Sequence, residues 1–376
     1  MEPKSDYPMS HKKYDKLILD GQIFRGNDLK KHCASKLKQL YLKDWEKHLF
    51  GFVLEWLDEE EEIKVKTSGS TGIPKSILLK KQHMINSAMA TAVALKLDAG
   101  QTALLALSTK YIAGKMMVVR AMVIGLNLFT VEPSGNPLEN LKKDIDFTAL
   151  VPLQLSNILS SKNSLIHLEK IRKVVIGGGA LDETLVKKTA KFANDFYASY
   201  GMTETCTHIA LRKLNGKDQD LYFKTLPGVK ISTDYRSCLV IDAPHLSDNL
   251  LTTNDLTTLY SDSEFLIIGR FDNVINSGGI KISPEEIEAK LRKIIKENFL
   301  ITSIPDRDLG EKLILLIESG QSNLNALYEL WAQIESVLSP FEVPKQIDFI
   351  KPFSHTATGK IDRLAMKKII REKLIH

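Results

Sequence analysis

The chain has 376 residues, which at about 100–200 residues per domain predicts two or three domains. Its composition of 43% hydrophobic and 26% charged residues excludes collagen, a disordered chain and a disulfide scaffold. The net charge of +5 is small for this length, and no basic run is dense enough to indicate nucleic-acid binding.

Neither the cysteines nor the apolar segments indicate a metal site, secretion or a membrane. Cys33, Cys206 and Cys238 are scattered, and Cys206 with His208 lacks the remaining ligands of a zinc site. The polar start has no apolar signal-peptide core, and no stretch approaches the roughly 20 apolar residues that span a bilayer. We therefore expect a cytoplasmic protein without a membrane span.

Short apolar runs alternate with amphipathic stretches between Thr67 and Gly201. The apolar runs predict buried strands, at Thr102–Leu107, Leu126–Val131, Thr148–Val151 and Lys173–Ile176. The amphipathic stretches predict helices, at Gln82–Leu95, Tyr111–Ile124 and Leu181–Phe192. This alternation predicts crossover connections and a mostly parallel sheet. The acidic run Asp58–Glu62 precedes this region and is interpreted as a solvated surface turn.

The last hundred or so residues have a different periodicity and predict a separate small domain. Ser283, followed by Pro284 and by Glu286 three residues after the cap, predicts the start of a helix. Beyond this helix we expect a strand, a helix and a strand, at Lys312–Glu318, Asn323–Leu338 and Gln346–Ile350. The predicted fold class is α/β: a large N-terminal domain (residues 1–271) with parallel-rich sheets flanked by helices, and a small C-terminal α+β domain (residues 272–376).

The segment from residue 67 to 75 has the composition of a phosphate-binding loop. Hydroxyls, backbone N–H groups and two glycines could approach a nucleotide triphosphate closely, and Lys75 adds a positive charge. By composition alone, a Ser/Gly-rich surface loop fits equally well. A Walker loop is disfavoured because Pro74 stands where that loop needs a glycine, and proline has no N–H to donate.

Five elements in order resemble the adenylate-forming superfamily, which includes acyl-CoA ligases, luciferases and peptide-synthetase adenylation domains. The residues that match its phosphate loop are Thr67, Ser68, Gly69, Ser70, Thr71, Gly72 and Lys75. The other matching segments are Tyr200–Thr205, Leu251–Leu256, the hinge region Gly269–Asn273 with the loop Ser277–Pro284, and Thr358–Arg363. They extend over residues 67 to 363, and from this order the chain is identified as a member of the superfamily.

The resemblance implies a two-step reaction that uses ATP, Mg²⁺ and CoA. A carboxylate and ATP form an acyl-adenylate and pyrophosphate, and a thiol then displaces AMP. Lys360 matches the lysine that bridges the carboxylate and the α-phosphate, Thr203 would contact the α-phosphate, and Glu204 would hold Mg²⁺. By spacing alone, the segment around Glu204 could equally be a strand end followed by a helix cap.

The resemblance also assigns the nucleoside contacts. Asp255 with Arg270 would hold the ribose hydroxyls, and Tyr200 with Gly201 would lie near the adenine. A glycine turn, made of Gly177, Gly178 and Gly179, would line the adenine and the substrate.

A mobile small domain is a further implication. Asp272 occupies the hinge position at which the small domain rotates between the two half-reactions. The loop with Gly278, Gly279 and Lys281 would then replace the Lys360 loop and face CoA. A surface lysine explains Lys281 equally well.

The segment Ser108–Arg120 narrows the choice of the carboxylic acid substrate. Tyr111 stands where many members have His, and Arg120 follows it by the nine-residue spacing of o-succinylbenzoate–CoA ligases, the menaquinone branch of the superfamily. A cation there would neutralise the second carboxylate of the substrate. Alternatively, Arg120 reaches solvent; Lys115 is a weaker candidate for the same role.

The expected function is therefore an ATP-dependent ligase that forms the CoA thioester of o-succinylbenzoate. The alternatives are an adenylating enzyme that passes another aryl or acyl acid to a carrier-protein thiol, and a catalytically inactive nucleotide-binding relative. The expected partners are small molecules, namely a carboxylic acid, ATP and CoA, with no nucleic acid, and a homodimer is left open.

Overall fold

The computed structural model describes residues 11–66, 75–181, 183–319, 324–355 and 361–375. Contacts divide the chain into two compact units, one of Met1–Lys230 with Ile241–Leu251 and one of Ile231–Val240 with Thr252–His376. The second unit thus includes residues that precede the expected boundary between residues 271 and 272. That boundary was placed at a hinge, and the hinge itself stays a prediction.

The first unit alternates strands and helices through most of its length. Its strands are β1 (Lys16–Leu19), β2 (Gln22–Arg25), β3 (Glu62–Lys66), β4 (Ser76–Lys80), β5 (Thr102–Leu105), β6 (Asn127–Thr130), β7 (Ile145–Leu150), β8 (Ile171–Ile176), β9 (Asp195–Gly201), β10 (His208–Lys213) and β11 (Phe223–Thr225). Its helices are α1 (Gly26–Leu37), α2 (Asp44–Trp56), α3 (Lys81–Leu95), α4 (Ile112–Arg120), α5 (Pro152–Ser160), α6 (Lys162–Leu168) and α7 (Glu183–Thr189).

The main sheet of this unit has the strand order β11-β10-β9-β8-β7-β5-β6-β1-β2. The contiguous pairs from β9 through β8, β7, β5 and β6 to β1 are parallel, which confirms the predicted crossover architecture. Apolar side chains of these strands, such as Leu104, Ile145 and Phe196, are fully buried in its core, as expected for parallel strands covered on both faces. Strands β3 and β4 form a separate antiparallel hairpin.

Two predictions in this unit need correction. The helix expected over Tyr111–Ile124 is α-helical only at α4 and continues as a π turn, Ala121–Gly125, which ends where Gly125 has a φ of +85°. The acidic run Asp58–Glu62 is exposed from Glu59 onward, as expected, but Asp58 is half-buried. Asp58 accepts a 2.8 Å hydrogen bond from the ammonium of Lys81, which is only 1% exposed, because a buried cation needs a partner.

The second unit contains two groups of strands and three helices whose bounds are described. Its strands are β12 (Lys230–Thr233), β13 (Cys238–Asp242), β14 (Leu251–Leu259), β15 (Glu264–Arg270), β16 (Ile275–Ser277), β17 (Ile280–Ile282), β18 (Phe299–Asp306), β19 (Gly310–Ile317) and β20 (Gln346–Phe349). Its helices are α8 (Pro284–Leu291), α9 (Leu324–Val337) and α10 (Arg363–Ile375).

A small sheet forms the centre of the C-terminal residues. Its order is β17-β16-β19-β18, and β20 pairs with β19 in parallel. Ile287 and Leu291 of α8 pack into an apolar core with Leu313 and Leu315 of β19, so the expected α+β arrangement is confirmed. Helix α8 begins at Pro284 as predicted, but the hydroxyl of Ser283 makes no capping hydrogen bond.

No helix among the described residues is both long enough and apolar enough to cross a membrane.

Candidate active site

Part of the predicted site lies outside the described residues. This applies to Lys360 and to six residues of the phosphate loop, Thr67, Ser68, Gly69, Ser70, Thr71 and Gly72. The ends of that loop are fixed because Lys66 and Ser76 pair across the β3–β4 hairpin. Lys75, beside Ser76, is exposed.

The end of β9 leads into a tightly braced turn. Gly201 faces His208 across the β9–β10 pair, and a Cβ on it would lie 2.2 Å from the carbonyl oxygen of Thr207. Only glycine fits such a close approach. Beyond it, a 3₁₀ turn spans Thr203–Thr205, in which the backbone N–H of Met202 donates to the hydroxyl of Thr205 at 3.1 Å.

This turn presents the two residues expected to act on phosphate and metal. The side chain of Thr205 is buried and its hydroxyl lies 2.7 Å from the carbonyl oxygen of Thr207, whereas Thr203 and Glu204 are half-buried. No group of three or more His, Cys, Asp or Glu side chains in the described part of the chain could hold a metal by itself. A single carboxylate such as Glu204 suits Mg²⁺, which takes its other ligands from substrate phosphates and water.

The glycine turn follows the neighbouring strand. β8 and β9 are parallel, with Ile176 opposite Ala198, so Gly177 after β8 and Tyr200 near the end of β9 lie at the same carboxyl edge of the sheet. Gly177 packs so closely on β9 that a Cβ would lie 2.4 Å from the hydroxyl oxygen of Ser199. Gly178 has a φ of +76°, and Gly179 is half-buried. Ligands of open parallel sheets bind at this edge.

Arg120 lies at the end of α4 and is only 3% exposed. Its Nε donates to the hydroxyl of Thr91 at 3.2 Å and its Nη2 to the hydroxyl of Thr207 at 3.0 Å. Within the described part of the chain, the hydrogen-bond contact of Nη1 is with the sulfur of Met117, at 3.9 Å. Among the residues that the structure describes, no carboxylate pairs with this guanidinium. Burial lowers the pKa of Arg120 from 12.5 to about 10, because the charged form loses its hydration.

His208 lies beside this guanidinium and is buried with it. Its Nε2 is 3.3 Å from the hydroxyl of Thr91, and its Nδ1 is 3.3 Å from the hydroxyl of Thr207. Burial, and then the positive charge of Arg120, hold the pKa of His208 well below its usual 6.5. Arg120 and His208 therefore carry one positive charge together at neutral pH, not two.

Lys115 has a partner in the protein. Its ammonium is 2.8 Å from a carboxylate oxygen of Glu55 on α2 and 4.2 Å from the ring centroid of Phe52. This pairing gives Lys115 a structural role and leaves Arg120 as the better candidate for an anion of the substrate. Tyr111 caps the N-terminus of α4 with extended backbone, and its side chain is half-buried.

In the second unit, Asp255 and Arg270 pair across β14 and β15, with an Nη1–Oδ1 distance of 3.0 Å. Nη2 of Arg270 is 2.7 Å from Oδ2 of Asp272, so the expected hinge carboxylate belongs to the same cluster. Burial opposes the charge of Arg270, but hydrogen bonds to Asp272 and the charges of Asp255 and Asp272 raise its pKa overall. The amide of Asn254 also donates to both oxygens of Asp272, at 3.0 and 3.2 Å.

The predicted CoA-side loop is the turn of a hairpin. Gly278 and Gly279 have φ of +59° and +83° and connect β16 to β17 as a two-residue turn. Glycine is required there because a side chain rarely adopts these angles. Lys281 is exposed on β17.

Four residues of these clusters were not predicted from sequence. Thr91, Thr207 and His208 contact Arg120 or each other, and Asn254 holds Asp272. Thr91 comes from a helix that carries no motif, and no pattern in the sequence distinguishes it. Thr207 and His208 lie just beyond the Tyr200–Thr205 segment, and Asn254 lies within the Leu251–Leu256 segment, so their nearness to these motifs was the available signal.

Comparison with known proteins places the chain in a family. A profile of the family described as AMP-binding enzyme matches residues 66–236. A solved structure from Dyadobacter fermentans, described as an acyl-CoA synthetase (AMP-forming)/AMP-acid ligase II-like protein, is 37% identical, with a TM-score of 0.60. That match covers 91% of this chain and 98% of the other. The chain therefore belongs to the AMP-binding enzyme family, as the motifs predicted.

Two further proteins that the chain resembles are named for their action on 2-succinylbenzoate. A probable 2-succinylbenzoate–CoA ligase from Mycobacterium tuberculosis is 27% identical, over 83% of this chain and 85% of its own length. The fold is shared with O-succinylbenzoate coenzyme A synthetase from Bacillus subtilis, solved in complex with ATP and magnesium. That structure is 17% identical, has a TM-score of 0.72 and matches 93% of this chain and 96% of its own. By family, the protein is an enzyme of the AMP-forming acyl-CoA ligase class.

Proposed function

We propose that the protein is an ATP-dependent ligase that converts o-succinylbenzoate to its CoA thioester, a step of menaquinone biosynthesis. The observation that carries the choice of acid is Arg120, a buried cation with no carboxylate partner among the described residues. o-Succinylbenzoate brings two carboxylates: the aliphatic one reacts, and the aromatic one supplies the missing partner. The relatives named as 2-succinylbenzoate–CoA ligases support the same assignment.

In the first half-reaction, an oxygen of the aliphatic carboxylate attacks the α-phosphorus of ATP. The new O–P bond forms as the bond to pyrophosphate breaks, and pyrophosphate leaves. Lys360 offsets the repulsion between the two anions, and Thr203 donates a hydrogen bond to the α-phosphate. The phosphate loop with Lys75 binds the triphosphate, and Asp255 with Arg270 binds the ribose. Glu204 would hold Mg²⁺, which supplies further charge neutralisation at the phosphates.

In the second half-reaction, the CoA sulfur attacks the carbonyl carbon of the acyl-adenylate. The C–S bond forms, the bond from that carbon to the phosphate oxygen breaks, and AMP leaves, while the thiol proton passes to solvent. The Gly278–Gly279 hairpin and Lys281 belong to this step, and Asp272 is the hinge between the two steps.

The test is incubation of the purified protein with ATP, Mg²⁺, CoA and o-succinylbenzoate, followed by mass spectrometry for the thioester. The matched substrate control is 3-benzoylpropionate, which lacks only the aromatic carboxylate. A thioester formed with strong preference for o-succinylbenzoate supports the proposal. Equal use of both acids refutes the role of Arg120, and acyl-AMP without thioester indicates a carrier-protein acceptor. No product from any acid in a panel of benzoates, fatty acids and amino acids would indicate an inactive relative.

A further inference from the structure

The hydrogen bonds around Arg120 determine which nitrogen of His208 carries its proton. The hydroxyl of Thr91 has a single hydrogen, and it donates this hydrogen to the backbone carbonyl of Ser87 at 2.9 Å. The oxygen of Thr91 can therefore only accept from its two other neighbours, Nε of Arg120 and Nε2 of His208. His208 must consequently carry its hydrogen on Nε2.

The second ring nitrogen of His208, Nδ1, also has a hydrogen-bond partner. A neutral imidazole with a hydrogen on Nε2 has a bare Nδ1, which accepts a hydrogen bond. The hydroxyl of Thr207 is 3.3 Å away and donates to it, while its oxygen accepts from Nη2 of Arg120 at 3.0 Å. Each hydrogen that points between two of these four side chains then has one acceptor. A second proton on His208 would leave the hydrogen of Thr207 without an acceptor among them and place two cations side by side.

The guanidinium of Arg120 has two edges that can bind an acceptor, and this network uses only one of them, the side edge. Nε and Nη2 present adjacent N–H groups along the side of the plane, and Thr91 and Thr207 accept from that side. At the end of the plane, formed by Nη1 and the second hydrogen of Nη2, the one hydrogen-bond contact among the described residues is from Nη1 to the sulfur of Met117. Two parallel N–H groups match the two oxygens of a carboxylate.

We propose that Thr91, Thr207 and neutral His208 are positioning residues that hold Arg120 by its side edge and keep its end edge for the second carboxylate of the acyl substrate. The inference rests on the proposed function for the identity of that carboxylate. His208 itself does not touch the substrate. It orients the two threonine hydroxyls, which orient the guanidinium.

Two measurements test the proposal. The first is the tautomer of His208, obtained from long-range ¹H–¹⁵N NMR spectra of the ¹⁵N-histidine-labelled protein and assigned with His208→Gln. We expect a protonated Nε2 and a bare Nδ1 at pH 7. A protonated Nδ1, alone or in a charged ring, overturns the proposal.

The second measurement compares KM and kcat for o-succinylbenzoate and 3-benzoylpropionate. Thr207→Val keeps the shape of the side chain but removes the hydroxyl. It should raise KM for o-succinylbenzoate about tenfold, while kcat and the KM for 3-benzoylpropionate change little. Thr207→Ser should restore the wild-type KM. Thr148→Val is the matched control, because that buried hydroxyl donates only to the carbonyl of Leu104, away from Arg120. An equal rise for both acids, or failure of the serine variant to restore KM, shows a merely structural role and overturns the proposal.

The two proposals can fail separately. If the wild-type protein makes no thioester from o-succinylbenzoate, the proposed function fails, and the assignment of the free edge to that carboxylate fails with it. The tautomer of His208 decides independently whether the network holds Arg120 as described.

Discussion

Replacing Arg120 by Met should make the protein more stable and less selective. Burial lowers the pKa of this guanidinium from 12.5 to about 10, and at 1.36 kcal/mol per unit the charged form carries a penalty of about 3 kcal/mol. Met has a similar shape without the charge. Two hydrogen bonds to threonine hydroxyls, each worth about 1 kcal/mol, are lost in exchange. We therefore expect a net gain of about 1–2 kcal/mol in the free energy of unfolding.

The assay is urea denaturation at pH 7.5, without ligand and with o-succinylbenzoate. Saturating acid should raise the midpoint of the wild-type protein and leave that of Arg120→Met nearly unchanged, because ligand stabilises only a state that binds it. Lys115→Met is the control on the same helix. It leaves Glu55 without its partner and should destabilise the protein by about 1 kcal/mol. Arg120→Met variants that lose more than about 1 kcal/mol would refute the reasoning, because Arg120 would then be part of the structural core.

The remaining predictions concern His208, Gly201 and Lys360. His208 stays neutral in the folded protein while the unfolded chain takes up a proton near pH 6.5, so stability falls as the pH falls below 6.5. At pH 5.5 this loss is about 1 kcal/mol. In urea titrations, His208→Gln should therefore lose less stability between pH 7 and pH 5.5 than the wild-type protein; an unchanged pH slope would contradict the assignment. Gly201→Ala should lose at least about 2 kcal/mol because its Cβ would meet backbone atoms of Thr207 and His208. Gly51→Ala, inside α2 and with nothing within 4 Å of the new Cβ, should instead gain about 0.5–1 kcal/mol by thermal denaturation. Lys360→Ala should abolish adenylation, measured as pyrophosphate release, but leave thioester formation from supplied acyl-AMP largely intact; equal loss of both would show that the assigned role is wrong.

The elements that the sequence predicted well are those set by local patterns. The apolar runs became parallel strands, and the Ser-Pro-Glu-Glu segment marked the first residue of α8. Periodicity could not show that Asp58 leaves the acidic surface run to pair with Lys81, because that contact depends on how α3 packs. Nor could it show the π turn after α4, whose hydrogen bonds differ from those of an α-helix with the same spacing.

In the candidate site, too, local motifs were predictable from sequence and long-range contacts were not. Motifs placed Glu204 on its turn and brought Asp255 next to Arg270. For Arg120, the sequence spacing was equally compatible with a solvent-exposed and a buried side chain. Only the tertiary structure shows that it is buried. Its partners are separated from it by 29 residues at Thr91 and 87 at Thr207, distances over which no helical or strand period extends.

Under the proposed function, the burial of Arg120 before any substrate arrives would give the site its selectivity for a dicarboxylate. An ion pair usually gains little because both charges must leave water to form it. Here the fold has already removed the cation from water and fixed it through Thr91 and Thr207, so only the carboxylate has to be desolvated on binding. A monocarboxylate gains nothing from this arrangement and leaves the cation unpaired. The stability that Arg120→Met should recover and the selectivity that it should lose therefore have one physical cause, and a variant that changes only one of them would separate the two.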